Sequence, residues 1–192
     1  MSAVPLSAGV PPAWYFREPE PETMPASPLV PSDLGEPDQI VAFTAANRRT
    51  ALLRGQFVHK LFEILPYLPA DKWSEVAEKI AASLLTGVAA LNHQKGLTRA
   101  DIQMLLHQAT AVMIDKRLCG LFGPDALAEA AISGKVGHLV VQGQVDRLVV
   151  RDTDVLLADF KTGTPPASKT DMPVRYVRQM AVYAELLRQI YP

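Results

Sequence analysis

Two short apolar runs, VDRLVV over 145–150 and DVLLADF over 154–160, stand on either side of the polar patch Arg151-Asp152-Thr153-Asp154. Runs rich in β-branched residues and split by a short polar break fold back as an antiparallel hairpin, and no other feature of the chain restricts its fold as much. With Asp152-Thr153 as a two-residue turn, Arg151 faces Asp154, Val149 faces Leu156 and Asp146 faces Asp159. The two acids then share one side of the sheet, with Cβ atoms about 4.5–5.5 Å apart. Lys161, two residues past Asp159, falls on that same side. The turn lacks the glycine that such turns favour, so a longer loop or a bulge would shift this register. Like charges placed directly opposite each other destabilise a sheet. A divalent cation offsets that repulsion, since Mg²⁺ takes one or two carboxylates together with waters and phosphate oxygens. The lysine neutralises part of the charge and also suits stabilising or activating a nucleophile. The bland alternative is a hairpin end with solvated acids.

The hairpin follows a long helical stretch. Apolar residues recur at helical spacing over 46–65, where Pro66 ends the pattern. A second helix starts near Asp71 and has Gly96 as its stop, and a third runs over 97–118 with Thr98 as N-cap and Asp101 three residues on. A short helix is expected over 124–130, strands over 135–150 and 154–160, and a last helix over 171–191. Helices, then a strand meander, then a helix imply an α/β fold of α+β-like order, with a small, mainly antiparallel sheet flanked by helices and an N-terminal helical subregion.

Nine of the 16 prolines fall in the first 37 residues. Proline removes backbone donors and disfavours helix in the residue before it, so 1–44 reads as an extended linker or strap and 45–192 as the folded domain. Trp14, Tyr15 and Phe16 interrupt the prolines and suggest a strap docked on a surface. The net charge of −1 gives no global attraction to nucleic acid, so any such contact needs a local patch. Arg147, Lys169, Arg175 and Arg178 are the candidates for that groove. The single cysteine, Cys119, excludes an internal disulfide and a four-thiolate cluster within one chain, which fits a reducing, cytoplasmic setting. No apolar stretch approaches a membrane span. Lys161-Thr162-Gly163 also spells the K-T-G of serine β-lactamases, but no serine has a lysine three positions later, and that reading is rejected.

Four elements carry a resemblance. Gly143-Gln144-Val145-Asp146-Arg147 matches a G-x-x-D-R element, and Asp159-Phe160-Lys161 matches D-x-K on the next strand. Gln179 and Tyr183, one helical turn apart, match a Q-x-x-x-Y element, and His59 matches a histidine on the first helix. Alone, His59 among Phe57, Val58, Leu61 and Phe62 would read as a boundary histidine, and Tyr183 as core packing. In this order they resemble the RecB-like branch of the PD-(D/E)XK nuclease superfamily. The wording over about 45–192 is similar to the C-terminal nuclease domain of the AddA family of helicase–nuclease subunits.

The resemblance implies a Mg²⁺- or Mn²⁺-dependent deoxyribonuclease, an exonuclease resecting double-strand breaks. Its metal ligands would be His59, Asp146, Asp159 and the Phe160 carbonyl. Lys161 would position or deprotonate the attacking water, or stabilise the pentavalent phosphate, while Gln179 and Tyr183 orient the site and touch DNA. Glu129, expected just before the first strand, resembles an auxiliary acid of relatives. The implied partners are DNA ends, an AddB-like subunit and the helicase portion of an AddA-type protein. ATP would enter only through that motor, because no G-x-x-x-x-G-K-[ST] loop is present here. The family's sheet normally continues past the point reached at Pro192, so a truncated domain is expected. A catalytically silent module that binds DNA or a protein partner is the competing reading.

Overall fold

The structure, a computed structural model, describes residues 16–17, 28–31, 45–92 and 96–192, with the side chains of 45–48 and 85–92 left aside. Helix α1 (Ala45–Ile64) buries Leu53, Phe57, Val58, Leu61 and Phe62 along one stripe, and Pro66 turns its end into a 3-10 segment, Leu65–Tyr67. Helix α2 (Trp73–Asn92), after a 3-10 turn at Ala70–Lys72, adds Ala77, Ile80 and Ala81 to the same core. Helix α3 (Arg99–Ile114) completes this core with Leu105, Ala109 and Met113. It starts at the anticipated capping box: Thr98 Oγ1 accepts from the Asp101 backbone N–H, and Asp101 accepts from the Thr98 backbone N–H. It stops at Ile114, earlier than the expected end at 118.

The expected helix over 124–130 is not there. A 3-10 segment occupies Cys119–Phe122, and β1 begins at Ala126 and runs to Val136. Strand β2 (Leu139–Val150) returns after a tight turn in which Gly137 has φ +61°, and β3 (Val155–Ala158) follows. The sheet has the order β1-β2-β3 with both pairings antiparallel. In the hairpin, Arg147 pairs with Ala158 and Val149 with Leu156, and the Arg151 N–H donates to the Asp154 carbonyl at 2.9 Å. The two-residue turn therefore forms despite lacking glycine, and the expected register holds.

Helix α4 (Val174–Ile190) lies on the sheet and packs Tyr183, Leu186 and Leu187 against Ile132, Val141, Val145 and Leu148. Ahead of the domain, Leu29 forms a parallel bridge with Val141. Phe16 is exposed, and Trp14 and Tyr15 fall outside the described residues. The whole is the expected α/β architecture, four helices and a small antiparallel sheet among the described residues. Among the described residues, no helix is long and apolar enough to cross a membrane.

Candidate active site

The hairpin register brings Asp146 and Asp159 to the next facing position beyond the last paired residues, Arg147 and Ala158. Their side chains are 12% and 8% exposed, so each carboxylate depends on protein partners rather than on bulk water. Asp146 Oδ2 accepts from the Phe160 backbone N–H at 2.6 Å, which ties the chain two residues past β3 back to β2. Its Oδ1 lies 3.3 Å from His59 Nδ1, delivered by the C-terminal half of α1. Asp159 Oδ1 accepts from Gln179 Nε2 at 2.9 Å, and its Oδ2 lies 2.5 Å from Lys161 Nζ. Two elements far apart in sequence, α1 and α4, thus each hold one acid.

Glu129 completes the cluster. It sits inside β1 rather than before the first strand, and its φ of +50° puts it in the left-handed region that non-glycine residues rarely occupy. A non-glycine residue held there inside a strand is conformational strain of the kind found at functional positions. The ligand atoms of His59, Glu129 and Asp146 all lie within 4.8 Å of one another. One imidazole and two carboxylates form a donor set that suits a divalent cation. Asp159 lies outside this trio and is engaged by Lys161 and Gln179.

The titration of these groups follows from the geometry. The hydrogen bond to Asp146 holds the His59 imidazole above its ordinary value against the opposing effect of burial. Burial pushes the Glu129 carboxyl up, and the Asp146 charge adds to it. Burial also pushes Asp159 up, with the ion pair to Lys161 pulling the other way and Asp146 pushing with it.

Lys161 Nζ stands 5.2 Å from the ring centroid of Tyr176, which also carries the Arg175 guanidinium at 4.5 Å. Tyr176 went unnoticed in the sequence, although Tyr176, Gln179 and Tyr183 form one stripe at helical spacing and its alignment with Gln179 was the available signal. Tyr183 is buried, and its hydroxyl donates to the Gln144 carbonyl at 3.0 Å. Gln179 is polar yet buried, with 4% of it exposed. Gln179→Ala should therefore lower stability by about 1–3 kcal/mol in urea melts, since it leaves a buried acceptor unpaired. It should also slow any reaction that needs Asp159 in place. A variant as stable as the parent would show that the bond to Asp159 contributes nothing to the fold.

The basic groove needs one correction. Arg147 is completely buried, where its guanidinium donates to the Phe62 carbonyl and, at 3.3 Å, to the Tyr67 hydroxyl. Period-2 alternation between buried Val145 and Val149 would have flagged it. Lys169 and Arg178 are exposed, and Arg175 leans on Tyr176.

An open cleft of about 530 Å³ borders the trio, lined by Gln56, His59, Lys60, Glu63, Glu129 and Thr162 among others. A larger hollow of about 620 Å³ between the hairpin turn and the end of α4 contains none of the residues of the cluster, so the chemistry is assigned to the smaller one. No curated protein and no solved structure matches the chain. One helix brings a histidine to an acid on β2, another brings a glutamine to an acid just past the end of β3, and a lysine follows two residues later. Residues 37–192 fit the sequence model of the PD-(D/E)XK nuclease superfamily, and the chain belongs to that superfamily.

Proposed function

We propose that this domain is a Mg²⁺- or Mn²⁺-dependent deoxyribonuclease that hydrolyses phosphodiester bonds at DNA ends. The convergence of His59, Glu129 and Asp146 beside Asp159 and Lys161 carries this reading. Asp146, His59 and Glu129 would hold the cation, with Asp159 and the Phe160 carbonyl as further oxygen ligands. When bound, it supplies Lewis-acid stabilisation of charge on the phosphate oxygens and eases deprotonation of water.

The rest is done by the protein's own groups. Lys161, held between Asp159 and the Tyr176 ring, presents a fixed positive charge toward a phosphate that becomes more negative as the new bond forms. The same amine is placed to orient the attacking water. Gln179 keeps the Asp159 carboxylate from rotating, and Tyr183 keeps Gln179's helix seated on β2 through the Gln144 carbonyl. Exposed Lys169 and Arg178, with Arg175 beside Tyr176, extend positive charge along the strand's path.

From the resemblance we infer that this chemistry serves end resection in a cytoplasmic AddAB-type assembly. The helicase portion would feed DNA to the site, ATP would be spent there alone, and an AddB-like subunit would be the protein partner. The chain should cut linear duplex DNA with Mg²⁺ or Mn²⁺ and stop when a chelator is added. Binding of DNA without cleavage in either metal would instead establish a silent DNA-binding module.

A further inference from the structure

Residues 28–31 precede the stretch that matches the nuclease family, yet they are built into its sheet. The Leu29 N–H donates to the Val140 carbonyl at 2.8 Å, and the Gln142 N–H donates back to the Leu29 carbonyl at 3.1 Å. These bonds use the stretch of β2 that β3, pairing only with 147–150, leaves open. Two residues on, Pro31 is fully buried. A proline that deep in a proline-rich lead needs a partner, and Gly143 is part of it.

Gly143 is a hollow with two occupants. A Cβ built on it would lie 2.7 Å from Tyr183 Cε1, 2.9 Å from the Tyr183 hydroxyl oxygen and 3.2 Å from Pro31 Cδ. The tyrosine and the proline therefore share the space that the missing side chain leaves. From Tyr183 the contacts continue to the Gln144 carbonyl, to Gln179 Nε2 at 3.5 Å, and from Gln179 to Asp159 at 2.9 Å.

We propose that Leu29–Pro31 is a positioning element of the nuclease site, in which Pro31 closes the Gly143 hollow over Tyr183 and so fixes the Gln179 amide that aims Asp159. The proposal rests on the nuclease reading above and adds a part of the chain outside the family's own core. With Pro31 in place the tyrosine ring has protein on both sides. Without it one side opens to water, the hydroxyl is free to leave Gln144, and Gln179 loses a neighbour. The site would then keep its acids but not their aim, which is a loss in the rate of the bound complex rather than in DNA affinity.

The test uses the full chain and two variants, Pro31→Gly and Leu29→Pro, the second removing the N–H that bonds Val140. Amide hydrogen exchange at Gln142, Mn²⁺ binding by calorimetry and steady-state cleavage of linear DNA are measured well below each melting temperature. Gln142 should be protected in the parent and exchange about tenfold faster or more in the variants. The variants' kcat should fall about tenfold with KM unchanged, a split that a purely structural loss well below the melt does not produce. Mn²⁺ should bind several-fold more weakly in both, because Asp159 is no longer held. Parental kcat in a variant whose Gln142 exchanges freely would overturn the proposal, as would an unprotected Gln142 in the parent or a rise in KM alone. If the parent binds Mn²⁺ but cuts no DNA, the nuclease reading fails separately. Weaker Mn²⁺ binding in the variants then still supports the strap's link to Asp159, and equal binding refutes it.

Discussion

Asp146→Asn and Asp159→Asn are each expected to slow DNA cleavage at least about a thousandfold, because a bound cation supplies several kcal/mol of transition-state stabilisation and each 1.36 kcal/mol is a factor of ten. Neither substitution should harm the metal-free fold much. An asparagine at 146 keeps an oxygen for the Phe160 N–H and offers its amide to His59, and one at 159 keeps an oxygen for Gln179. At 159 the change also removes a charge that burial disfavours. Metal separates parent from variant. At a concentration one hundred times Kd, a ligand that binds only the folded state adds about 2.7 kcal/mol of stability. The parent's melting temperature should rise accordingly with Mn²⁺ and the variants' much less. Lys161→Ala should differ in kind, keeping the metal-induced rise and losing the cleavage. Equal Mg²⁺ or Mn²⁺ binding by the parent and both Asn variants in calorimetry would remove the acids from the site.

The second large effect is on stability. Arg147→Ala should cost about 3 kcal/mol in urea unfolding, the sum of a lost charged hydrogen bond and a cavity where a large side chain stood. Phe62 lies in the last turn of α1, where helix carbonyls have no partner within the helix. The guanidinium meets one of them and places a positive charge at the helix's negative end. It also lies over the rings of Phe122, 5.2 Å from the centroid, and Tyr67, 5.7 Å away. A lysine offers neither the planar fork nor the stacking surface, so Arg147→Lys should recover only part of the loss. A change below about 0.5 kcal/mol in Arg147→Ala, ordinary for a surface substitution, would show that the contact with α1 contributes nothing.

The hairpin was legible because two short apolar runs around a four-residue patch allow few pairings, and Asp146 and Asp159 follow from that arithmetic. The Thr98 cap was equally readable, being a local rule. What sequence hid was decided by tertiary structure. The alanines of Ala126–Ala131 favour helix by propensity, yet pairing with β2 makes the segment a strand, and Glu129 thereby enters the site with left-handed backbone. Charge misled at Arg147, which like Gln179 is buried because it answers an acceptor supplied by a distant element: the end of α1 in one case, Asp159 in the other.

Asp146 and Arg147 are neighbours on β2, and both reach α1, at His59 and at Phe62, residues one helical turn apart. Rotating or sliding α1 against the strand would break both contacts together, so the helix has a single seat. The imidazole is thereby brought to the acid by folding itself, before any ion arrives. A cation bound there would order little protein, because the entropy that a flexible ligand would lose on capture has already been lost.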